Sequence, residues 1–196
     1  MTQTEHLVRI FEQTGALQTG HFLLSSGKHS DRYLEKFNLL RRPADTEVVC
    51  RGFVEQFKDS GAELIAGPTT GGILLAFEVG RQMGLPAAYA ERASDGSTAR
   101  EFRRNTTIAP GTKVVLVDDI LTTGGSVRET IIALEAAEAE IVGIGVLADR
   151  SNSAVTFGKY PLHALLSLKV DAWEPADCPL CAQGVRLVKP GTTKVG

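Results

Sequence analysis

Between Val114 and Ser126 the chain reads Val-Val-Leu-Val-Asp-Asp-Ile-Leu-Thr-Thr-Gly-Gly-Ser: four apolar residues, two adjacent carboxylates, then a hydroxyl- and glycine-rich turn. A short uninterrupted apolar run predicts a strand buried on both faces, as in a parallel sheet covered by helices. In open α/β sheets, ligands bind beyond the carboxyl ends of the strands. Backbone N–H groups at a following helix start favour a phosphate. Asp118 and Asp119 would repel that phosphate, so they fit a polyhydroxylated group or a cation beside it: ribose hydroxyls and a magnesium ion next to a 5′-phosphate. The plainer reading of an Asp-Asp pair, a cap at a strand end, is disfavoured by the flanking residues.

The rest of the chain supplies the partners such a strand needs. Leu7, Ile10 and Phe11 share a helical face that Gly15 terminates, and Gly20–Leu40 reads as a hairpin or irregular strand pair around Ser25-Ser26-Gly27. Arg42-Pro43-Ala44-Asp45 is expected to begin a helix that continues through Val48, Val49, Phe53 and Phe57 until Gly61. Beyond it strands Leu64–Ala66, Ala87–Tyr89, Lys113–Val117 and Ile141–Leu147 alternate with helices Gly72–Met83 and Ser126–Ala137. This alternation indicates βαβ units and right-handed crossovers, hence an α/β fold with a mostly parallel central sheet flanked by helices. The polar stretch Glu91–Asn105 is the longest segment without a core pattern and reads as a lid or binding loop.

The 196 residues suffice for a substantial core, and a net charge of −2 gives no sign of a general nucleic-acid surface. No apolar run approaches the length of a membrane span, and the polar N-terminus is unlike a secretory signal, so a cytoplasmic protein is expected. Neither the dinucleotide fingerprint GxGxxG nor a GK[ST] nucleotide loop occurs.

The segment VVLVDDILTTGGS resembles the phosphoribosyl-diphosphate (PRPP) motif of the type I phosphoribosyltransferases. Phe22-Leu-Leu-Ser-Ser-Gly-Lys-His-Ser30, Gly67-Pro-Thr-Thr-Gly-Gly-Ile-Leu-Leu-Ala76 and Leu147-Ala-Asp-Arg150 extend the likeness, over roughly residues 15–190, to the orotate phosphoribosyltransferase family. The resemblance implies the type I fold with a small N-terminal hood: residues 1–42 as helix and hood, 43–172 as PRPP-binding core, and 173–196 as a tail packing near the hood. It implies that Asp118 and Asp119 hold the ribose hydroxyls, directly or through Mg²⁺, with metal contact mainly through PRPP and water. PRPP would be bound by Thr69, Thr70 and Gly71 at pyrophosphate and by Ile120, Leu121, Thr122, Thr123, Gly124, Gly125 and Ser126 around the 5-phosphate. Orotate would meet Ser26, Gly27, Lys28, Tyr33, Thr122 and Arg150, whose planar fork suits a carboxylate. The activity implied is Mg²⁺-dependent pentosyl transfer from PRPP to orotate in pyrimidine biosynthesis, by a homodimer whose loop 91–105 reaches the neighbouring site. Nucleic-acid and membrane partners are not expected. A purine-base phosphoribosyltransferase would keep the Asp118–Ser126 site without the hood signature, and a PRPP-binding regulator would normally add a nucleic-acid-binding element.

Three departures stand out. Related sequences often carry lysine where Ser25 stands and another near Thr70, and a lysine- and histidine-containing catalytic loop after the Ala87–Tyr89 strand. Residues 91–104 contain neither lysine nor histidine here, so the charge on departing pyrophosphate would fall to Arg92, Arg100, Arg103 and Arg104, with Lys28 in reserve.

Three cysteines do not suggest a disulfide framework. Cys178-Pro-Leu-Cys181 has the spacing of half a zinc site, but reads as an ordinary reduced turn, because a metal would need His163 or a second subunit. A redox pair is the third reading. His6, His21 and His29 do not form a ligand-spaced cluster in sequence, and Cys50 falls at a helical core position.

Overall fold

The computed structural model describes residues 3–24 and 26–190. Ser25 and residues 191–196 of the expected tail lie outside the described residues. The chain divides into two compact units, one running from Leu40 to Leu168 and the other combining the segments before and after it.

The central unit holds a six-stranded sheet. Its strands are β3 (Leu64–Pro68), β4 (Ala87–Arg92), β5 (Arg100–Phe102), β6 (Lys113–Leu121), β7 (Glu140–Asp149) and β8 (Leu162–Ser167), in the order β5-β4-β3-β6-β7-β8. All neighbours are parallel except β4 and β5. The expected mostly parallel α/β sheet is therefore present. Helices α3 (Pro43–Phe57), α4 (Gly71–Met83) and α5 (Gly125–Ala136) form where the apolar spacing predicts them, α3 with proline in its first turn and α4 stopped by left-handed Gly84.

Strand alternation sorts the core. Val114 and Leu116 join Val127, Ile131 and Leu134 of α5 in one buried cluster. On β7, a Cβ at Gly143 or Gly145 would strike the rings of Phe57 and Phe53, so glycine there lets α3 lie close to the sheet. Val115, Val117, Phe53, Leu75 and Val79 are fully buried. Each such side chain contributes about 1.5–3 kcal/mol by leaving water.

Two expectations need correction. Strand β6 does not stop at Val117 but runs through both aspartates to Leu121, its backbone still paired with β7 at Asp118, Ile120 and Leu121. Loop 91–105 is not patternless either: Arg92 pairs with Arg100 and Ala90 with Phe102 in an antiparallel hairpin whose tip is residues 93–99.

The other unit contains α1 (Gln3–Gln13), β1 (Leu17–Leu23), β2 (His29–Leu34), most of the short helix α2 (Phe37–Leu40), β9 (Ala172–Trp173), a 3-10 turn at Pro175–Asp177 and α6 (Pro179–Ala182). Its sheet is β1-β2-β9, all antiparallel. The hairpin expected in Gly20–Leu40 is β1–β2. The chain at Val188 returns to it: the Leu23 N–H donates to the Val188 carbonyl, and the Val188 N–H to the His21 carbonyl.

Candidate active site

Because β6 continues through the acidic pair, its two carboxylates leave the strand on opposite faces. Asp118 lies on the α5 side, where the Ser126 hydroxyl donates to its Oδ2 at 2.6 Å and the Asp119 N–H donates to its Oδ1 at 2.8 Å. Asp119 lies on the α4 side, against Gly71: a Cβ built there would collide with its carboxylate. Its Oδ1 accepts the Ile120 N–H at 2.6 Å. Both aspartates are only 5% exposed. The pair thus has two distinct neighbours, one at the start of each helix.

The Gly67–Gly72 turn is tight for the same reason. A side chain at Gly67 would meet the Gly72 carbonyl and the Val117 carbonyl, and one at Gly72 would meet the Pro68 ring. The Thr69–Thr70 peptide within it is cis. On the other side, Gly124 caps α5 in the left-handed region at φ 78°, and any Cβ there would press on Arg128, Val155 and Phe157. Thr122 and Thr123 are exposed in the turn before it. The segments Thr69–Gly71 and Thr122–Ser126 therefore flank the acidic pair, and each leads into the N-terminus of a helix, where unpaired amides favour anions.

The four loop arginines separate sharply. Arg100 is 8% exposed: its Nε donates to Glu129 Oε2 at 3.1 Å, and its Nη1 donates to Thr69 Oγ1 at 3.1 Å and to the Ala90 carbonyl at 3.2 Å. It ties the first helical turns of α5 to the Thr69 turn. Arg104 instead forks onto Glu91 with both bonds at 3.2 Å, Arg103 pairs with Glu101 at 3.2 Å, and Arg92 is exposed.

Arg150 stands immediately beyond β7, its N–H donating to the Leu121 carbonyl at 2.8 Å, so it lies beside the end of the acidic strand. In the other unit, Lys28 pairs with Glu174 at 3.0 Å on the surface, and the Tyr33 ring lies 5.7 Å from that of Phe22. Ser26 and Gly27 occupy the β1–β2 turn, with Gly27 at φ 84° and its N–H donating to the Leu24 carbonyl.

Sequence reasoning missed Arg128 and Glu129. The Arg128 guanidinium reaches back from α5 to the Thr123 carbonyl at 2.5 Å and lies 5.3 Å from the Phe157 ring centre, bracing the glycine turn. Its spacing, four residues after Gly124, was the available signal: one helical turn returns a side chain toward the helix start. Glu129, the anchor of Arg100, carries no local signal.

Residues 47–174 match the phosphoribosyl transferase domain family. An orotate phosphoribosyltransferase of Pelotomaculum thermopropionicum is 43% identical over 195 residues, covering 100% of both chains. One from Desulforamulus reducens is 40% identical over 191 residues, covering 97% of this chain and 98% of the relative. Among solved structures, an orotate phosphoribosyltransferase from Aeropyrum pernix superimposes with a TM-score of 0.72 at 25% identity, covering 83% of this chain and 94% of that one. The strand that carries Asp118 and Asp119, the two glycine turns that flank them and this full-length likeness agree: the chain belongs to the orotate phosphoribosyltransferase family of type I phosphoribosyltransferases.

Proposed function

We propose that the chain transfers a phosphoribosyl group from PRPP to orotate, giving orotidine 5-monophosphate and pyrophosphate in pyrimidine biosynthesis. The observation that carries this reading is the contact of Asp119 with Gly71, which joins the acidic strand to the second glycine turn and makes one anion-and-polyol site of two separate sequence motifs. The shared name of the full-length relatives supplies the base.

In the reaction a ribose C1–oxygen bond to pyrophosphate breaks and a C1–nitrogen bond to orotate forms. Orotate ionises readily, so the protein needs no strong nucleophile. Its task is alignment and stabilisation of separated charge. Thr122–Ser126 and the α5 N-terminus hold the 5-phosphate. Thr69, Thr70 and Gly71 hold the pyrophosphate, and Asp118 and Asp119, with Ile120 and Leu121, hold the ribose. Ser26, Gly27, Lys28, Tyr33, Thr122 and Arg150 meet orotate. The Lys28–Glu174 pair is exposed on both sides, and such pairs are weak enough to be exchanged for a substrate anion.

Both aspartates already accept protein hydrogen bonds, which fits a hard cation held through water and substrate oxygens rather than by a protein cage. Mg²⁺ bound there would neutralise the phosphate oxygens of PRPP. Arg100 is a positioning residue, since its guanidinium is committed to Glu129, Thr69 and Ala90. The compensating charge for the leaving group falls to Arg92, Arg103 and Arg104 on the exposed part of the hairpin.

The same reading includes a cytoplasmic homodimer. Leu74 and Phe77, three residues apart on α4, are 41% and 66% exposed, an apolar face suited to a second copy.

Steady-state turnover with PRPP, Mg²⁺ and each of orotate, uracil, adenine and guanine tests the reading. Orotate alone should be consumed at an appreciable rate. Turnover of a purine in preference to orotate would overturn it.

A further inference from the structure

The Cys178–Cys181 turn meets other histidines than the one its sequence suggests. His163, the histidine nominated as its partner, belongs to the other unit, where its ring packs edge-on against Phe57 at 5.6 Å. His21 and His29 do not look paired in sequence, yet they meet the cysteines in space. His21 Nε2 and His29 Nδ1 are 3.1 Å apart, Cys178 Sγ is 3.4 Å from His21 Nε2, and Cys181 Sγ is 3.8 Å from His21 Nε2 and 3.2 Å from His29 Nδ1. One donor atom from each of the four residues lies within 4.8 Å of all the others.

We propose that His21, His29, Cys178 and Cys181 form a structural zinc site. With Zn–N bonds of about 2.0–2.1 Å and Zn–S bonds of about 2.3 Å, a tetrahedral Cys₂His₂ centre has N···N, N···S and S···S edges of roughly 3.3, 3.6 and 3.8 Å. The observed separations fall around those edges. The donor chemistry agrees, because two thiolates and two imidazoles in tetrahedral array select zinc over harder cations. Four protein ligands leave no position for water or substrate, which makes the site structural rather than catalytic.

The orientation of His21 adds an independent argument. Its Nδ1 lies 2.8 Å from the Val185 carbonyl, which can only accept, so that nitrogen carries the proton. Nε2 then presents its lone pair to the cluster. A ligand histidine that donates its other N–H to a backbone carbonyl is the usual outer arrangement of a zinc site.

The fold explains why a metal is useful here. His21 lies on β1 and His29 on β2, while Cys178 precedes α6 and Cys181 lies within it. The sheet β1-β2-β9 is small, and β9 joins it through only two residue pairs. A unit with so little core needs a staple. Zinc at these four residues would fasten the C-terminal turn to the hairpin immediately after the Ser26–Lys28 turn.

The test is elemental analysis of the full-length protein, purified under reducing conditions without a metal-affinity step, together with Co²⁺ reconstitution. About one zinc per chain is expected, and Co²⁺ should give the visible absorption of a tetrahedral thiolate site. The Cys178→Ser/Cys181→Ser protein should lose both signals. Should that variant fail to fold, thiol titration of the unaltered native protein decides: Cys178 and Cys181 should react only after a strong chelator is added. Absence of zinc together with a featureless Co²⁺ spectrum would overturn the proposal. So would zinc retained by the double variant, thiols reactive without chelation, or a Cys178–Cys181 disulfide under reducing conditions.

Discussion

In the unit Leu40–Leu168, the acidic strand end, the glycine turn and the helix start all lie between Asp118 and Ser126. In the other unit, the four metal-ligating side chains come from two strands and a distant tail, with His21 eight residues from His29 and 157 from Cys178. The first arrangement is a local motif, in which backbone geometry alone brings the groups together. The second exists only after the tail folds back on the hairpin. A local motif therefore holds its own groups together without distant contacts, whereas an assembled site and the fold around it depend on each other.

The largest effect that sharpens this comparison lies at the acidic pair. Asp118→Asn and Asp119→Asn should each lower kcat/KM by about 100-fold or more, the scale of a preorganised charge removed from a site. Circular dichroism and zinc content should remain those of the parent. Parent-level kcat/KM in both variants would remove the acidic pair from the mechanism.

Gly71→Ala should come next. Its new methyl group displaces the Asp119 carboxylate, so turnover should fall together with about 1–3 kcal/mol of stability, the usual cost of overpacking. Denaturant melts and kinetics on the same preparation would check both. An active, fully stable Gly71→Ala protein would break the link between the two glycine turns.

Within the hairpin the arginines should divide by burial. Arg100→Ala strands the partly buried Glu129 and should cost about 2 kcal/mol, below the roughly 3–5 kcal/mol of a fully buried pair because Glu129 is 20% exposed. Arg104→Ala should leave the melting temperature unchanged and affect turnover alone. Equal melting shifts in the two variants would contradict the assignment of Arg100 as a brace.

The smallest effect concerns Cys50, whose thiol is pushed up to about 12 from 9.0, first by burial and then by the nearby Glu78. The folded state keeps this proton longer than the unfolded state does. Its stabilising contribution is therefore complete below pH 9 and is lost as pH rises from 9 to 12. Cys50→Ala should flatten that part of the stability–pH curve relative to the parent. Parallel curves over that window would count against the burial effect.

These differences also mark what could be read before folding. Helices α3, α4 and α5 and strands β3, β4 and β7 follow from apolar period and glycine stops, with bounds close to those expected. Strand β6 ran longer than expected because aspartates usually end strands. Here Asp118 and Asp119 stay in register because Ser126 and nearby amides satisfy them. The β4–β5 hairpin was obscured by Arg100, which looks solvated in sequence and is buried only because Glu129 waits 29 residues away. Strand β8 was missed because most of its residues are half-buried at a sheet edge and lack a clean alternation. The histidine–cysteine cluster was out of reach for a different reason: spacing rules detect ligands on one local loop, and this set is split between the two ends of the chain.

The most direct test of the proposed chemistry is at Arg150, which the end of β7 places beside the acidic strand. A lost hydrogen bond to a charged partner in a shielded site costs about 2–5 kcal/mol. The KM for orotate in Arg150→Ala should accordingly rise by about 30-fold or more, at about 1.4 kcal/mol for each factor of ten. The KM for PRPP should stay close to that of the parent. Equal increases for both substrates would contradict the account, because they would make Arg150 a structural residue and leave the base without its anchor.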